Sequence, residues 1–247
     1  MNNNIYKIAI LLPVYNEGKS IYDLLSRINT LNFKNSKIVI VDDHSTDKSS
    51  EWINKANDVF SDLDITVIKH EINQGLGGAL NSGLNFILNL SNSLDVVITM
   101  DGDNTHDPEL IFKMLDQISK GAEIVIASRY LKESKIIGVP NYRKVLSYGA
   151  RVLYTLRWNI SGVRDYTCLY RAYKYSIIEK SFNKGNHTNL KEKDFIASTE
   201  LLRSTSRNTK KVYEVPIVLN YNYKFEVSNM KIFKTILRTL KVLANIK

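Results

Sequence analysis

The segment VVITMDGDNTHDPE holds the densest chemistry in the chain. Asp101 and Asp103 stand two residues apart behind an apolar run. A strand carried through them would point both carboxylates to one face, with Gly102 leaving the backbone between them unobstructed. Two carboxylates with open positions around them suit a hard cation, Mg2+ or Mn2+, shared with the phosphates of a bound molecule. Zinc is disfavoured, because Cys168 is the sole cysteine and His44, His70, His106 and His187 lack ligand spacing, so no role is assigned to them. A second acidic pair, Asp42 and Asp43, closes the apolar run at 38–41, followed by Ser45, Thr46 and Asp47, which can cap a helix. Ligands of open α/β sheets bind outside the carboxyl ends of strands, so this pair suits either helix capping or ligand binding.

Two further stretches look like phosphate loops. LLPVYNEGKS ends in Gly-Lys-Ser, but Pro13 stands where a P-loop needs its first glycine, and Glu17 would put a negative charge into the phosphate nest. Proline removes a backbone donor and fixes φ, which such a cradle cannot accept. NQGLGGALNSG has Gly75, Gly77 and Gly78 but Leu80 where a dinucleotide fingerprint needs glycine, and it follows the third strand instead of the first. Its glycines would let a backbone come close to a ligand or simply make a tight turn.

The elements that must position these residues follow from periodicity. Strands are predicted at 7–12, 37–41, 65–68, 95–100 and 123–127, and amphipathic helices between them at 20–31, 47–60, 77–90 and 108–120. This alternation implies stacked β-α units on a mostly parallel sheet. After residue 130 it stops. A basic, aromatic stretch, KVLSYGARVLYTLRW, precedes one further strand at 212–219. With no Pro- or Gly-rich linker, 1–229 is expected to form one domain, divided functionally into 1–130 and 131–229. The 247 residues suffice for a substantial core, and Lys and Arg exceed Asp and Glu by 34 to 25, which favours anionic partners. No apolar leader opens the chain and no run of about 18 apolar residues occurs, so neither a signal peptide nor a membrane span is expected. Cys168 reads as a small packing residue in a protein of a reducing compartment.

Taken together, Pro13-Val14-Tyr15-Asn16-Glu17, Val41-Asp42-Asp43-x-Ser45, Asn73-x-Gly75-x-Gly77 and Met100-Asp101-Gly102-Asp103 resemble, in order and spacing, glycosyltransferase family 2. The resemblance implies the GT-A fold, an α/β, Rossmann-like nucleotide-sugar-binding fold with a mostly parallel central sheet. It implies that Pro13, Tyr15, Glu17, Asp42, Asp43, Gly75 and Asp101 bind the donor nucleotide, and that Asp101 and Asp103 hold Mg2+ or Mn2+ on its diphosphate. Past residue 130, Ser128-Arg129-Tyr130, Arg143-Lys144 with Ser147 and Gly149, Asp165-x-Thr167, Tyr170-Arg171 and Glu214-Val215-Pro216-Ile217 resemble dolichyl- and polyprenyl-phosphate sugar synthases. That likeness implies Arg129, Arg143 and Ser147 at an acceptor phosphate. Arg143 and Ser147 are four residues apart and would share a helix face. The family's Arg-x-x-Gly-x-Ser-Lys loop corresponds to Tyr223-Lys224-Phe225-Glu226-Val227-Ser228-Asn229, where its arginine, glycine and lysine are missing, so Lys224 or Lys231 would have to substitute.

From Met230 to Lys247 the chain has five Lys or Arg, no acid, and an apolar stripe through Ile232, Phe233, Ile236, Leu237, Leu240 and Leu243. Such a helix fits either an anionic membrane surface or the protein's own core. The expectation is an inverting, metal-dependent transferase moving a hexose from GDP-mannose or a UDP-hexose to a lipid phosphate. It would be cytoplasmic and peripheral on the membrane, with a membrane-protein partner as a further candidate and no nucleic acid as ligand. A glycan hydroxyl acceptor would instead need a carboxylate base, for which Asp165 and Glu200 are the candidates. A rival of another class is a non-catalytic basic module binding anionic lipid or nucleic acid.

Overall fold

The computed structural model describes residues 6–90, 94–182 and 190–221, apart from the side chain of Arg143. The first half alternates as expected: β1 (Ile8–Val14), α1 (Ser20–Thr30), β2 (Ser36–Asp42), α2 (Ser49–Val59), β3 (Asp64–Lys69), α3 (Gly75–Asn89), β4 (Val96–Thr99), α4 (Leu110–Ser119) and β5 (Ile124–Ser128). The second half adds β6 (Lys135–Ile137), α5 (Asn141–Trp158), β7 (Arg171–Lys174), α6 (Tyr175–Phe182), α7 (Ile196–Ser206), β8 (Val212–Pro216) and β9 (Val218–Asn220).

The main sheet has the order β3-β2-β1-β4-β7-β5-β8, and β6 pairs with β9 in a small second sheet. Strand β1 is parallel to β2 and β4. Its side chains alternate between two cores, as a central strand covered on both faces must. Ile8, Ile10, Leu12 and Val14 pack with α1, α2 and α4, while Ala9 and Leu11 pack with α3, α6 and α7. Strand β7 runs antiparallel between β4 and β5. Those two strands therefore point the same way, and the ends of β1, β2, β4 and β5 open on one edge of the sheet.

Three expectations need correcting. The strand expected at 95–100 stops at Thr99. The strand expected at 212–219 is two: Pro216 is the last residue paired to β5, and the chain then crosses to β6. Proline has no N–H with which to continue a ladder. Strand β7 was not anticipated at all, because Arg-Ala-Tyr-Lys carries no apolar run. Arg171 is nonetheless fully buried, donating to the carbonyls of Tyr166 and Ser198 and to the Tyr173 hydroxyl. The loop at 223–229 and the stretch 230–247 lie outside the described residues. Among the described residues no helix is long and apolar enough to cross a membrane.

The glycines at the start of α3 have a packing role. Gly77 N–H donates to the Lys193 carbonyl at 3.0 Å, and a Cβ on Gly77 would collide with the Glu192 carbonyl. A Cβ on Gly149 of α5 would meet nothing within 4 Å. Gly77→Ala should therefore lower stability by about 1–3 kcal/mol through overpacking. Gly149→Ala should raise it by up to about 1 kcal/mol through helix propensity. Urea unfolding of the two variants checks this, and equal effects would contradict it.

Candidate active site

The loops after β1 and β2 are stitched to each other by backbone donors. Asn16, held at φ 54°, donates its N–H to Ser45 Oγ at 3.1 Å, Glu17 donates to Ser49 Oγ at 2.9 Å, and Gly18 donates to Asp47 Oδ2 at 2.9 Å. Pro13 lies in β1, and Tyr15 and Glu17 follow it on this braced loop. Asp42 accepts from Ser45 N–H at 2.9 Å and Ser50 Oγ at 2.6 Å. Burial pushes its carboxyl up, but these donors, with Lys69, outweigh burial and hold it below its ordinary value. Asp43 accepts from the N–H groups of Gln74 and Gly75 at 2.8 and 2.7 Å, and it meets His70 Nδ1 at 2.7 Å. His70 Nε2 in turn lies 2.8 Å from Ser82 Oγ. Both aspartates are buried and fasten the strand end to the helices that follow. At Gly75, a left-handed residue with φ 76°, the close backbone is that of Lys193.

Because β4 ends at Thr99, Asp101 and Asp103 sit in a turn and not on a strand, which corrects the expectation that strand alternation aligns them. Gly102 permits that turn: a Cβ there would lie 2.8 Å from Val14 Cγ2. Asp103 is largely buried and accepts from Thr105 N–H at 3.1 Å and Thr105 Oγ1 at 2.7 Å. The Asp101 side chain is 36% exposed, and its Oδ2 lies 3.8 Å from Nδ1 of His106. That nitrogen is buried without a hydrogen-bond partner. A divalent cation beside Asp101 would fit these donors. Among the described residues, no three His, Cys, Asp or Glu are already gathered as a metal cluster.

At the end of β5 stands Arg129. Its Nε and Nη2 donate to the two oxygens of Asp165, each at 2.7 Å, and Nη2 also donates to Thr167 Oγ1. Asp165 is fully buried and also accepts from the N–H groups of Arg129, Thr167 and Cys168. Glu214 of β8 receives the N–H groups of Arg164 and Asp165, fixing this loop from the other side. Beside Arg129, the Tyr130 hydroxyl lies 2.6 Å from Ser147 Oγ, and Arg151 stands over the Tyr130 ring at 4.8 Å. The structure thus gathers Arg129, Tyr130, Ser147 and Arg151. Arg143 is one turn before Ser147 on the same helix, while Arg151, one turn after it, was missed. Spacing alone could have found Arg151, since 143, 147 and 151 form one row on a helix.

Both carboxylates named as a base for a hydroxyl acceptor are already engaged by backbone donors. Asp165 is enclosed as described, and Glu200 accepts from the N–H groups of Lys191 and Glu192. Cys168 is a buried packing residue, its thiol pushed up to about 12 by burial.

A profile of the family described as Glycosyl transferase family 2 matches residues 9–182. The chain belongs to that family. Family membership makes it a glycosyltransferase and sets aside the non-catalytic module. The chain is 39% identical over 145 residues to the dolichol-phosphate mannosyltransferase of Pyrococcus furiosus, covering 58% of this chain and 39% of that relative's length. It is 27% identical over 211 residues to the undecaprenyl-phosphate mannosyltransferase of Micrococcus luteus, covering 85% of this chain and 82% of the relative. Among solved structures, glucosyl-3-phosphoglycerate synthase from Mycobacterium tuberculosis in complex with Mn2+, uridine-diphosphate and glucosyl-3-phosphoglycerate superposes with a TM-score of 0.66 at 17% identity, over 98% of this chain and 81% of that one. This establishes the GT-A fold.

The Arg129–Asp165 pair has a signed pH dependence. Burial pushes the Asp165 carboxyl up, but the Arg129 guanidinium and the backbone donors outweigh it and hold it below its ordinary value. A depressed folded-state value adds stability above the unfolded value of about 4, and that stability is lost as pH falls through the folded value. Asp165→Asn should lower stability at pH 7 by about 3–5 kcal/mol, since it leaves Arg129 buried and unpaired. The gap between variant and wild type should narrow below about pH 4. Urea unfolding across pH checks both, and a pH-independent gap would contradict the pairing.

Proposed function

We propose that the protein moves a hexose from a nucleotide diphosphate sugar to a polyprenyl or dolichyl phosphate, with inversion at the anomeric carbon, on the cytoplasmic face of a membrane. The observation that carries this reading is the grouping of Arg129, Ser147 and Arg151 on the same sheet edge as Asp101, with Arg143 on the same helix row. Two arginines and a hydroxyl beside one another suit a phosphate, which Arg recognises by charge-assisted hydrogen bonds. The names of the Pyrococcus and Micrococcus relatives support a lipid-phosphate acceptor.

A phosphate monoester has a second pKa of about 6 and is already an anionic nucleophile near neutral pH, so no carboxylate base is required. The enclosure of Asp165 and the engagement of Glu200 by two backbone N–H groups agree with this and disfavour the hydroxyl-acceptor reading. The acceptor phosphate would be oriented by Arg129, whose position Asp165 fixes, and by Ser147, Arg143 and Arg151 of α5. The loop after β1, with Pro13, Tyr15 and Glu17, and the Asp42, Asp43 and Gly75 region would receive the nucleoside. Asp101 and Asp103 would hold Mg2+ or Mn2+, whose charge offsets that developing on the departing diphosphate.

Helix α5 supports a membrane setting. The face turned inward carries Ser147, Arg151 and the buried Tyr154, while the opposite stripe leaves Tyr142, Val145, Leu146, Val152, Leu153 and Leu156 exposed, Leu156 at 79%. The helix contains basic residues and no acid. An apolar stripe with basic flanks is the composition of a segment lying on an anionic lipid surface.

One kinetic comparison tests acceptor site and membrane face together. Arg151→Ala should raise KM for polyprenyl phosphate about tenfold or more, as loss of a hydrogen bond to a charged group implies, while calorimetric binding of the nucleotide sugar stays unchanged. Leu156→Glu should reduce sedimentation with anionic vesicles and leave turnover of a short-chain, detergent-dispersed acceptor intact. Equal damage to donor and acceptor by Arg151→Ala would sink the phosphate site, and unaltered vesicle binding would sink the role of α5.

A further inference from the structure

We propose that His106 is a ligand of the same cation as Asp101, supplying through Nδ1 a nitrogen donor that favours Mn2+ over Mg2+. This rests on the reading of the Asp101 turn as the cation site. His106 is 3% exposed, and its Nδ1 has no hydrogen-bond partner. Leaving a buried polar atom unpaired costs about 1–3 kcal/mol, so an unpaired nitrogen facing a carboxylate calls for a physical cause.

The ring cannot easily turn away. Arg27 of α1 donates Nη1 to the His106 carbonyl at 3.3 Å and to Asn104 Oδ1 at 2.9 Å, and its Nη2 meets Asp107 Oδ1 at 2.8 Å. The imidazole packs on the Tyr170 ring with centroids 5.1 Å apart, and the Tyr170 hydroxyl donates to the Asp107 carbonyl at 3.0 Å. The loop is therefore clamped from α1 on one side and from the segment before β7 on the other, with Nδ1 left facing Asp101 Oδ2.

The separation of 3.8 Å is too long for a hydrogen bond. Two metal–donor bonds of about 2.1 Å each can span such a gap at an obtuse angle. Asp103 commits one oxygen to Thr105 N–H and Oγ1. With Asp101 and His106 as neighbours, positions remain open for diphosphate oxygens and water. Mg2+ demands oxygen donors in near-ideal octahedral geometry, whereas an imidazole nitrogen is better accepted by a first-row transition metal.

The test uses the whole chain with Mn2+ and inorganic diphosphate, a probe that contains no nitrogen. Loss of the free-Mn2+ electron paramagnetic resonance signal beyond that caused by diphosphate alone reports binding, and electron spin echo modulation reports a directly bound nitrogen. Wild type should bind Mn2+ and show 14N coupling, which becomes 15N coupling when histidine is 15N-labelled. His106→Gln should lose the coupling and bind Mn2+ about tenfold or more weakly, with a smaller change for Mg2+. Isotope labelling needs no substitution, so it decides the matter even where the variant folds poorly. Bound Mn2+ without nitrogen coupling, or coupling that persists in the variant, would overturn the role of His106 and leave the cation site standing. Wild type that binds no Mn2+ in the presence of diphosphate would overturn both.

Discussion

The buried ion pair between Arg129 and Asp165 is the contact on which the proposed acceptor side is built. Neither charge could be enclosed alone, because desolvation costs several kcal/mol per ion and only close pairing with further hydrogen bonds offsets it. Here the offset comes from three parts of the chain. Arg129 directly follows β5, Asp165 lies on the loop leading to β7, and Glu214 of β8 holds that loop by two N–H groups. Burial pushes the Glu214 carboxyl up even so. The pair fixes Arg129 where Tyr130, Ser147 and Arg151 meet, and a rigid guanidinium loses less entropy on gripping an oxyanion than a freely rotating one.

The same economy governs the proposed donor side. Parallel strands ending on one edge put loops from four of them within reach of one ligand. Each loop is then braced by residues that also look like ligands. Asp42 caps the turn into α2, and Asp43 holds the start of α3 together with His70. Arg27 does the corresponding work for the loop after β4. The acidic residues of this edge thus hold the loops in shape, and a nucleotide would meet a largely preformed surface.

Much of the fold was legible in the sequence because buried parallel strands read as apolar runs and their helices as 3.6-residue stripes. That is why β1 to β5 and α1 to α4 fell close to their expected places. Strand β7 escaped because its buried member is Arg171, whose charge is met by carbonyls that only tertiary structure supplies. The turn at Asp101 escaped because it depends on where β4 stops against Val14, which periodicity does not reveal. Arg151 was readable from spacing. His106 was not, since its place beside Asp101 arises from the clamp of Arg27 and Tyr170 and from no motif. The apolar stripe of α5 was visible as composition, but only the fold tells which side of the helix faces outward.

The most direct test of a lipid-phosphate acceptor is the product itself. The purified chain would be given a radiolabelled nucleotide hexose, divalent cation and polyprenyl phosphate, with the organic-phase product then exposed to mild acid. The account predicts label in the lipid phase that mild acid releases as free hexose, because a glycosyl phosphate linkage joins sugar and lipid. Label that enters only a glycan through an acid-stable glycosidic bond, with no lipid-phase product, would contradict it.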